Sequence, residues 1–211
     1  MNTAELPFKN LGSYDPANCS GPYNIPELSP ALPILPEIKF WSFSEKKNTK
    51  SPNHSGLHFF LDDYRFNVVW TYPDRYIHML RNFAAVCAPD FSIYTNMPTA
   101  LQIYNHYRKH WVGAYWQSLG INVVPTISWA GPESFQWCFD GEPHGSAVAI
   151  STIGTQKRRE SKALFLAGYR EMKKRLNPAQ ILCYGHIPAE LECEVVPMGC
   201  FYDKFEKGGG Q

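Results

Sequence analysis

The chain has 211 residues, 44% of them hydrophobic and 15% aromatic, which suffices for one large buried core and excludes a disordered chain. Lys and Arg total 20 against 19 Asp and Glu, a formal net charge of +1 that argues against nucleic-acid binding driven mainly by phosphate neutralisation. No apolar run approaches the roughly 20 residues of a spanning helix, and Met1-Asn2-Thr3-Ala4-Glu5 lacks the basic and apolar stretches of a signal peptide. The expectation is a cytoplasmic protein with no membrane partner.

Residues 1–55 form a Pro-rich arm and loop. Pro7, Pro16, Pro22, Pro26, Pro30, Pro33 and Pro36 remove ladder donors and break helices, so this stretch is extended. Ile25, Leu28, Leu32, Ile34, Leu35, Phe40 and Trp41 give it an apolar side that packs on the remainder. Ser44 to Gly56, with Lys46, Lys47 and Lys50, reads as an exposed loop.

Residues 56–211 read as a single α/β domain. Five short apolar runs each end in small polar or acidic residues. Leu57–Leu61 runs into Asp62-Asp63, Ala85–Ala88 into Pro89-Asp90-Phe91-Ser92, and Val123-Val124 into Thr126, Ser128 and Trp129. Ala147–Ile150 leads to Ser151-Thr152, and Ile181–Cys183 to Tyr184-Gly185-His186. A last short strand is expected at Glu194–Val196. Helical periodicity fills the gaps. One helix is expected from Pro73 to about Phe83, and a second from Pro98 to Leu119, apolar most of the way round and stopped by Gly120. A short helix or turn covers Glu133–Cys138. The last helix, about Arg158–Leu176, carries Phe165, Gly168, Tyr169, Met172 and Leu176 on one stripe.

Alternating strands and helices imply right-handed crossovers into a parallel sheet. The strands are too few for an eight-unit barrel. The expected fold is therefore a parallel βα-repeat, a reduced or distorted TIM-barrel-like form, with an open doubly wound sheet as the alternative. The barrel-like form is favoured because polar residues recur at nearly every strand end, whereas an open sheet gathers them at one switch point.

The strand ends are where chemistry is expected. Asp62, Asp63 and Asp90 are candidates for acid/base work or for a divalent metal, since carboxylates crowded in a cleft separate in pKa. The competing structural reading has Asp62 or Asp63 capping a turn and pairing with Arg65. His186 is a further acid/base candidate. Ser151, Thr152, Gly154 and Thr155, followed by Lys157, combine hydroxyls, a permissive glycine and a basic helix start, as an anion seat requires. A plain βα loop with solvated charges explains the same residues. Tyr94, Thr126, Ser128 and Trp129 complete a pocket wall, with Trp129 as the stacking face. Trp111 and Trp116 are expected in the core. Of the six cysteines, Cys87 and Cys183 lie in apolar runs as buried thiols. Cys183, His186, Cys193 and Cys200 could supply zinc ligands, but their spacing matches no usual zinc knuckle. No G-x-S-x-G, H-E-x-x-H or G-x-G-x-x-G occurs.

Three strings occur together: Pro89-Asp90-Phe91-Ser92-Ile93-Tyr94-Thr95-Asn96-Met97-Pro98, Tyr115-Trp116-Gln117-Ser118, and Val124-Pro125-Thr126-Ile127-Ser128-Trp129. With Phe139-Asp140-Gly141 and Ser151-Thr152-Ile153-Gly154, they resemble an uncharacterised domain-of-unknown-function family found in bacteria, phages, prophages and plasmids. The likeness covers about Leu57 to Gly185 and assigns no residue a role. It implies a mobile-element context, the host cytoplasm if phage-encoded, and with it work on nucleotides or nucleic acids. Two readings follow. One is an enzyme acting on a nucleotide, nucleic acid or other phosphorylated substrate at the strand rim. The other is a non-catalytic accessory or counter-defence protein that binds a small ligand or a protein. Oligomeric state stays open.

Overall fold

A computed structural model describes residues 9–191 and 195–198. The chain enters through a small antiparallel pair, β1 (Cys19–Ser20) and β2 (Ile25–Pro26). The arm then lies along the domain and is fixed by the few backbone N–H groups its prolines leave. Leu28 N–H donates to the Gly141 carbonyl (2.9 Å), Ser29 N–H to Gln117 Oε1 (2.8 Å), Ala31 N–H to Ser146 Oγ (2.9 Å) and Ile34 N–H to Gln180 Oε1 (2.7 Å). Ile25, Leu28, Ala31 and Ile34 are buried by this, whereas Leu32 and Leu35 face solvent, contrary to the expectation for those two.

Four strands follow in a parallel sheet: β3 (Lys39–Ser42), β4 (Ser55–His58), β5 (Ala85–Cys87) and β6 (Val123–Val124), paired in that order. A second parallel set contains β7 (Ala147–Ser151), β8 (Gln180–Tyr184) and β9 (Val196–Pro197). A parallel bridge between Thr126 and Ala149 joins the two sets, with Ala149 N–H donating to the Pro125 carbonyl and Ile127 N–H to the Ala149 carbonyl, both at 2.8 Å. Strand order thus follows chain order from β3 to β9 without the reversal of a doubly wound sheet. Among the described residues no ladder joins β9 back to β3.

Three strand boundaries differ from the sequence expectation. β3 lies within the stretch that the sequence assigns to the arm and loop, because four residues carry too little alternation to stand out. The run Leu57–Leu61 pairs only as far as His58: Leu61 N–H turns back to the Phe59 carbonyl (2.8 Å) and ends the ladder. The last strand is Val196–Pro197, and Glu194 lies outside the described residues. At Gly56, the Phe40 ring lies where a Cβ would stand, 2.4 Å from its nearest atom, so β3 can cover β4 only over a glycine.

Period-two alternation sends side chains to two faces. One face yields a single cluster with members along the whole strand series: Phe40, Phe60, Ala85, Cys87, Val124, Ala147, Ala149, Leu182, Tyr184 and Met198, together with Ala31 and Ile34 of the arm. The other face packs on helices. Leu57, Val86 and Val123 meet Trp111, Val112 and Trp116 of α3 (Thr99–Ser118), and Val148, Ile150, Ile181 and Cys183 meet Phe165, Tyr169, Met172 and Leu176 of α4 (Arg159–Leu176). Trp111 and Trp116 are core residues, as expected, and the predicted stripe of α4 is buried throughout.

α3 ends in a Schellman motif. Gly120 (φ +82°) donates to the Gln117 carbonyl and Ile121 to the Trp116 carbonyl. The helix expected over Pro73–Phe83 is instead a 3-10 turn, Pro73–Tyr76, followed by α2 (Ile77–Leu80), because Tyr76 leaves the helical region (φ −116°, ψ 3°). A further single turn, α1 (Val68–Thr71), precedes it, and Pro132–Gln136 forms a 3-10 turn. The buried side of α3 also differs from the apolar pattern that predicted it. Leu101 is half exposed, while Gln102, Asn105, His106, Arg108, Lys109 and His110 are buried.

Candidate functional site

The strands open their C-terminal ends onto one cleft of about 1780 Å³, lined by residues that follow β4, β5, β6, β7, β8 and β9. From the segment after β4 come Phe60, Asp62 and Arg65, and from that after β5 come Asp90, Ser92 and Tyr94. Ser128 and Trp129 follow β6. Thr152, Gly154, Thr155 and Lys157 follow β7, with Ser151 at its end, and His186 follows β8. Residues far apart in sequence meet here because parallel strands all end on one edge.

Asp90 is the carboxylate set into this wall. Burial pushes its carboxyl up to about 7; nearby Asp63 acts in the same direction and Lys109 opposes it. Asp62 is exposed at the rim. Asp63 does not line the cleft. Its Oδ1 accepts Ser92 Oγ (2.7 Å) and Ser92 N–H (3.1 Å), and its Oδ2 pairs with Arg108 Nη2 at 3.2 Å. Arg108 in turn donates to Asn67 Oδ1 (2.7 Å) and Asn105 Oδ1 (3.0 Å) and lies 3.6 Å from the centre of the Phe91 ring. The pairing partner of Asp63 is thus Arg108, from α3, rather than the neighbouring Arg65. The three aspartates form no group with ligand atoms close enough to share a metal ion.

Thr126 is also turned away from the cleft. It is fully buried, its Oγ1 donates to the Ala88 carbonyl (2.7 Å), and it serves the junction between β5 and β7. Ser128 does face the cleft, and its Oγ is buried with no hydrogen-bond partner. The Trp129 indole forms part of the wall and packs on α4 at Gly168, where a Cβ would fall 2.2 Å from Nε1; its ring centre is 5.4 Å from that of Phe165. Tyr94 is largely exposed, with its hydroxyl 3.1 Å from Ser92 Oγ.

The loop after β7 is folded on itself. Thr152 N–H donates to the Tyr184 carbonyl (2.9 Å), Thr155 N–H to the Thr152 carbonyl (3.1 Å) and Ile153 N–H to Ser151 Oγ (3.2 Å). α4 begins only at Arg159, so the amides of residues 152–155 are not those of the helix start. Ser151, Thr152, Thr155 and the exposed Lys157 still line the cleft, although the Thr152 hydroxyl donates to the Tyr184 carbonyl (3.2 Å) and that of Thr155 to the Thr152 carbonyl (2.8 Å). His186 is exposed, while Cys183 is buried and its thiol is pushed up to about 11 by burial; Cys193 and Cys200 lie outside the described residues. Arg65, Asn96 and Gln156 also line the cleft and were missed, since single polar residues in loops carry no periodic signal.

Residues 17–201 match the family described as Domain of unknown function (DUF4417). The chain belongs to this family. Among its DUF4417-like relatives, the Gene 1 protein of Mycobacterium phage L5 is 44% identical over 168 residues, covering 80% of this chain and 73% of that protein. The Gene 1 protein of Mycobacterium phage D29 is 42% identical over 168 residues, covering 80% of this chain but only 62% of that protein. No solved structure matches. The chain is therefore a phage-type α/β protein, and among the described residues no helix is long and apolar enough to cross a membrane.

Proposed function

We propose that this DUF4417 chain binds a small phosphorylated ligand of nucleotide type in the strand-end cleft, and that Asp90 exchanges a proton with it. The observation that carries the reading is Asp90 itself, a carboxyl held near 7 by burial within a ligand-sized cleft. A group poised there both gives and takes protons near neutral pH. Arg65, Lys157 and His186 line the same cleft and favour an anion, Tyr94 and Trp129 offer faces for a ring, and Ser128 Oγ is a polar atom awaiting a partner. In this reading Ser151, Thr152, Gly154 and Thr155 contribute hydroxyls and close backbone approach rather than helix-start amides. The host cytoplasm is the compartment where such a ligand is abundant. The strand series would curl as an open, reduced barrel, a form supported by the unreversed order and the one cluster shared from Phe40 to Met198.

The experiment is a thermal-shift screen of the full chain with nucleoside mono-, di- and triphosphates and inorganic phosphate, with and without Mg²⁺, followed by phosphorus NMR of the bound mixtures. A ligand at a hundredfold over its Kd stabilises by about 2.7 kcal/mol. Asp90→Asn should remove the inflection near pH 7 from binding or turnover, and Lys157→Ala should weaken binding. No shift with any of these compounds refutes the proposal. A shift with no conversion by the wild type favours the accessory binding protein over the enzyme.

A further inference from the structure

α3 turns two buried histidines toward the loop that follows the 132–136 turn. His106 and His110 are one helical turn apart with ring centres 4.4 Å apart, and both are essentially without solvent contact. Glu142 faces them with its side chain fully buried. One ligating atom from each of the three lies within 4.8 Å of the other two.

The hydrogen bonds around this trio fix which atoms carry protons. His110 Nδ1 is 2.8 Å from the Pro26 carbonyl and His106 Nε2 is 3.0 Å from the Asp140 carbonyl. A carbonyl only accepts, so those nitrogens donate, and in a neutral ring the other nitrogen is a bare lone pair. His106 Nδ1 then stands buried with no donor, and so does Glu142 Oε2. His110 Nε2 lies 2.9 Å from Glu142 Oε1, which brings two acceptors together unless a cation or a proton stands between them. Each orphaned lone pair in a dry interior is costly.

We propose that His106, His110 and Glu142 bind one divalent transition-metal ion of the zinc class. Two imidazoles and a carboxylate are a donor set that such ions favour, and each imidazole already donates its second nitrogen to a backbone carbonyl, the usual outer support of a metal-bound histidine. Lys109 completes the outer support. Its Nζ donates to Glu142 Oε1 (2.6 Å) and to the Thr126 carbonyl (2.7 Å), holding the carboxylate in place. Asp140, with Oδ2 buried and without a partner, adds negative charge beside His110. Gly141 (φ +76°) lets the turn press in: a Cβ there would fall 2.6 Å from both His110 Nδ1 and the Pro26 carbonyl. The ion would tie α3 to the 140–142 turn and, through Pro26, to the arm. With all three side chains buried, it is loaded as the chain folds and is structural.

Metal content of the full chain, purified without chelator and again after unfolding and refolding with Zn²⁺ or with EDTA, tests this. About one equivalent of metal is expected in the first two samples and none in the third, with the thermal midpoint of the third lower by about 10 °C. His106→Asn and Glu142→Gln should each lose the ion, whereas Cys193→Ser and Cys200→Ser should keep it. Refolding the wild type with Co²⁺ needs no variant and should give the visible bands of a nitrogen and oxygen donor set without intense thiolate charge transfer. A wild type that binds no metal on refolding overturns the proposal. So does metal retained by both His106→Asn and Glu142→Gln, or a cobalt spectrum dominated by thiolate.

Discussion

His58 offers the sharpest test of the electrostatics of the sheet interior. It ends β4, is 2% exposed, and its ring centre lies 4.8 Å from that of Tyr184 and 5.7 Å from that of Phe60. Its Nδ1 accepts the Phe60 N–H at 3.2 Å, a bond that needs an unprotonated nitrogen. Burial pushes its pKa down from 6.5 to about 3. Between those values the unfolded chain binds a proton that the folded chain refuses, so stability falls as pH falls below 6.5. At pH 5.0 the two pKa values convert to a loss of about 2 kcal/mol relative to pH 7.5, where the contribution is close to zero. Other groups titrate over the same range, Asp90 with the opposite sign, so the quantity to measure is a difference between proteins. His58→Gln retains a hydrogen-bond acceptor and has no proton to gain. Urea unfolding of wild type and His58→Gln at several pH values should show their stability difference shifting by about 2 kcal/mol in favour of the variant between pH 7.5 and 5.0. A difference that stays constant within about 0.5 kcal/mol would refute the reasoning.

Two further outcomes follow from packing and pairing around the cleft. Gly168→Val places side-chain atoms where the Trp129 indole now sits, and should cost roughly 1–3 kcal/mol through overpacking while altering the Trp129 fluorescence; an unchanged spectrum and midpoint would contradict the contact. Arg108→Ala strands Asp63 beside Ser92 and should cost about 2–3 kcal/mol. In a double-mutant cycle with Asp63→Asn the coupling should exceed about 1 kcal/mol, read by urea denaturation; additive effects would show that the pair does not anchor the Ser92 loop.

The local patterns of this chain were strong enough to place most of its elements. Gly120 and Asn177-Pro178 mark the ends of α3 and α4, and the stripe from Phe165 to Leu176 is the buried face of α4. Apolar runs located β5, β6, β7 and β8 to within a residue or so, and thereby the edge on which Asp90, Ser128, Trp129, Ser151 and His186 gather. Local pattern failed where a residue's role is set by a distant partner. Asp63 and Asp90 look alike in sequence, yet Arg108 reaches across from α3 to take Asp63 and leaves Asp90 to the cleft. Thr126 resembled its pocket neighbour Ser128, but it still pairs with Ala149 across the junction, where its hydroxyl is taken by the Ala88 carbonyl.

Residue spacing, turn chemistry and hydrophobic period act over a few residues, and they alone determined a βα-repeat with its polar rim on one edge. Tertiary structure decided the order of the strands, the docking of the arm, and the burial of His106, Lys109, His110 and Glu142 against one another. A histidine or lysine on a helix carries no mark in sequence of whether it meets water or a buried carboxylate. Only the packing of α3 against the 140–142 turn settles that, because desolvation and pairing depend on what other parts of the chain bring to the same few ångströms.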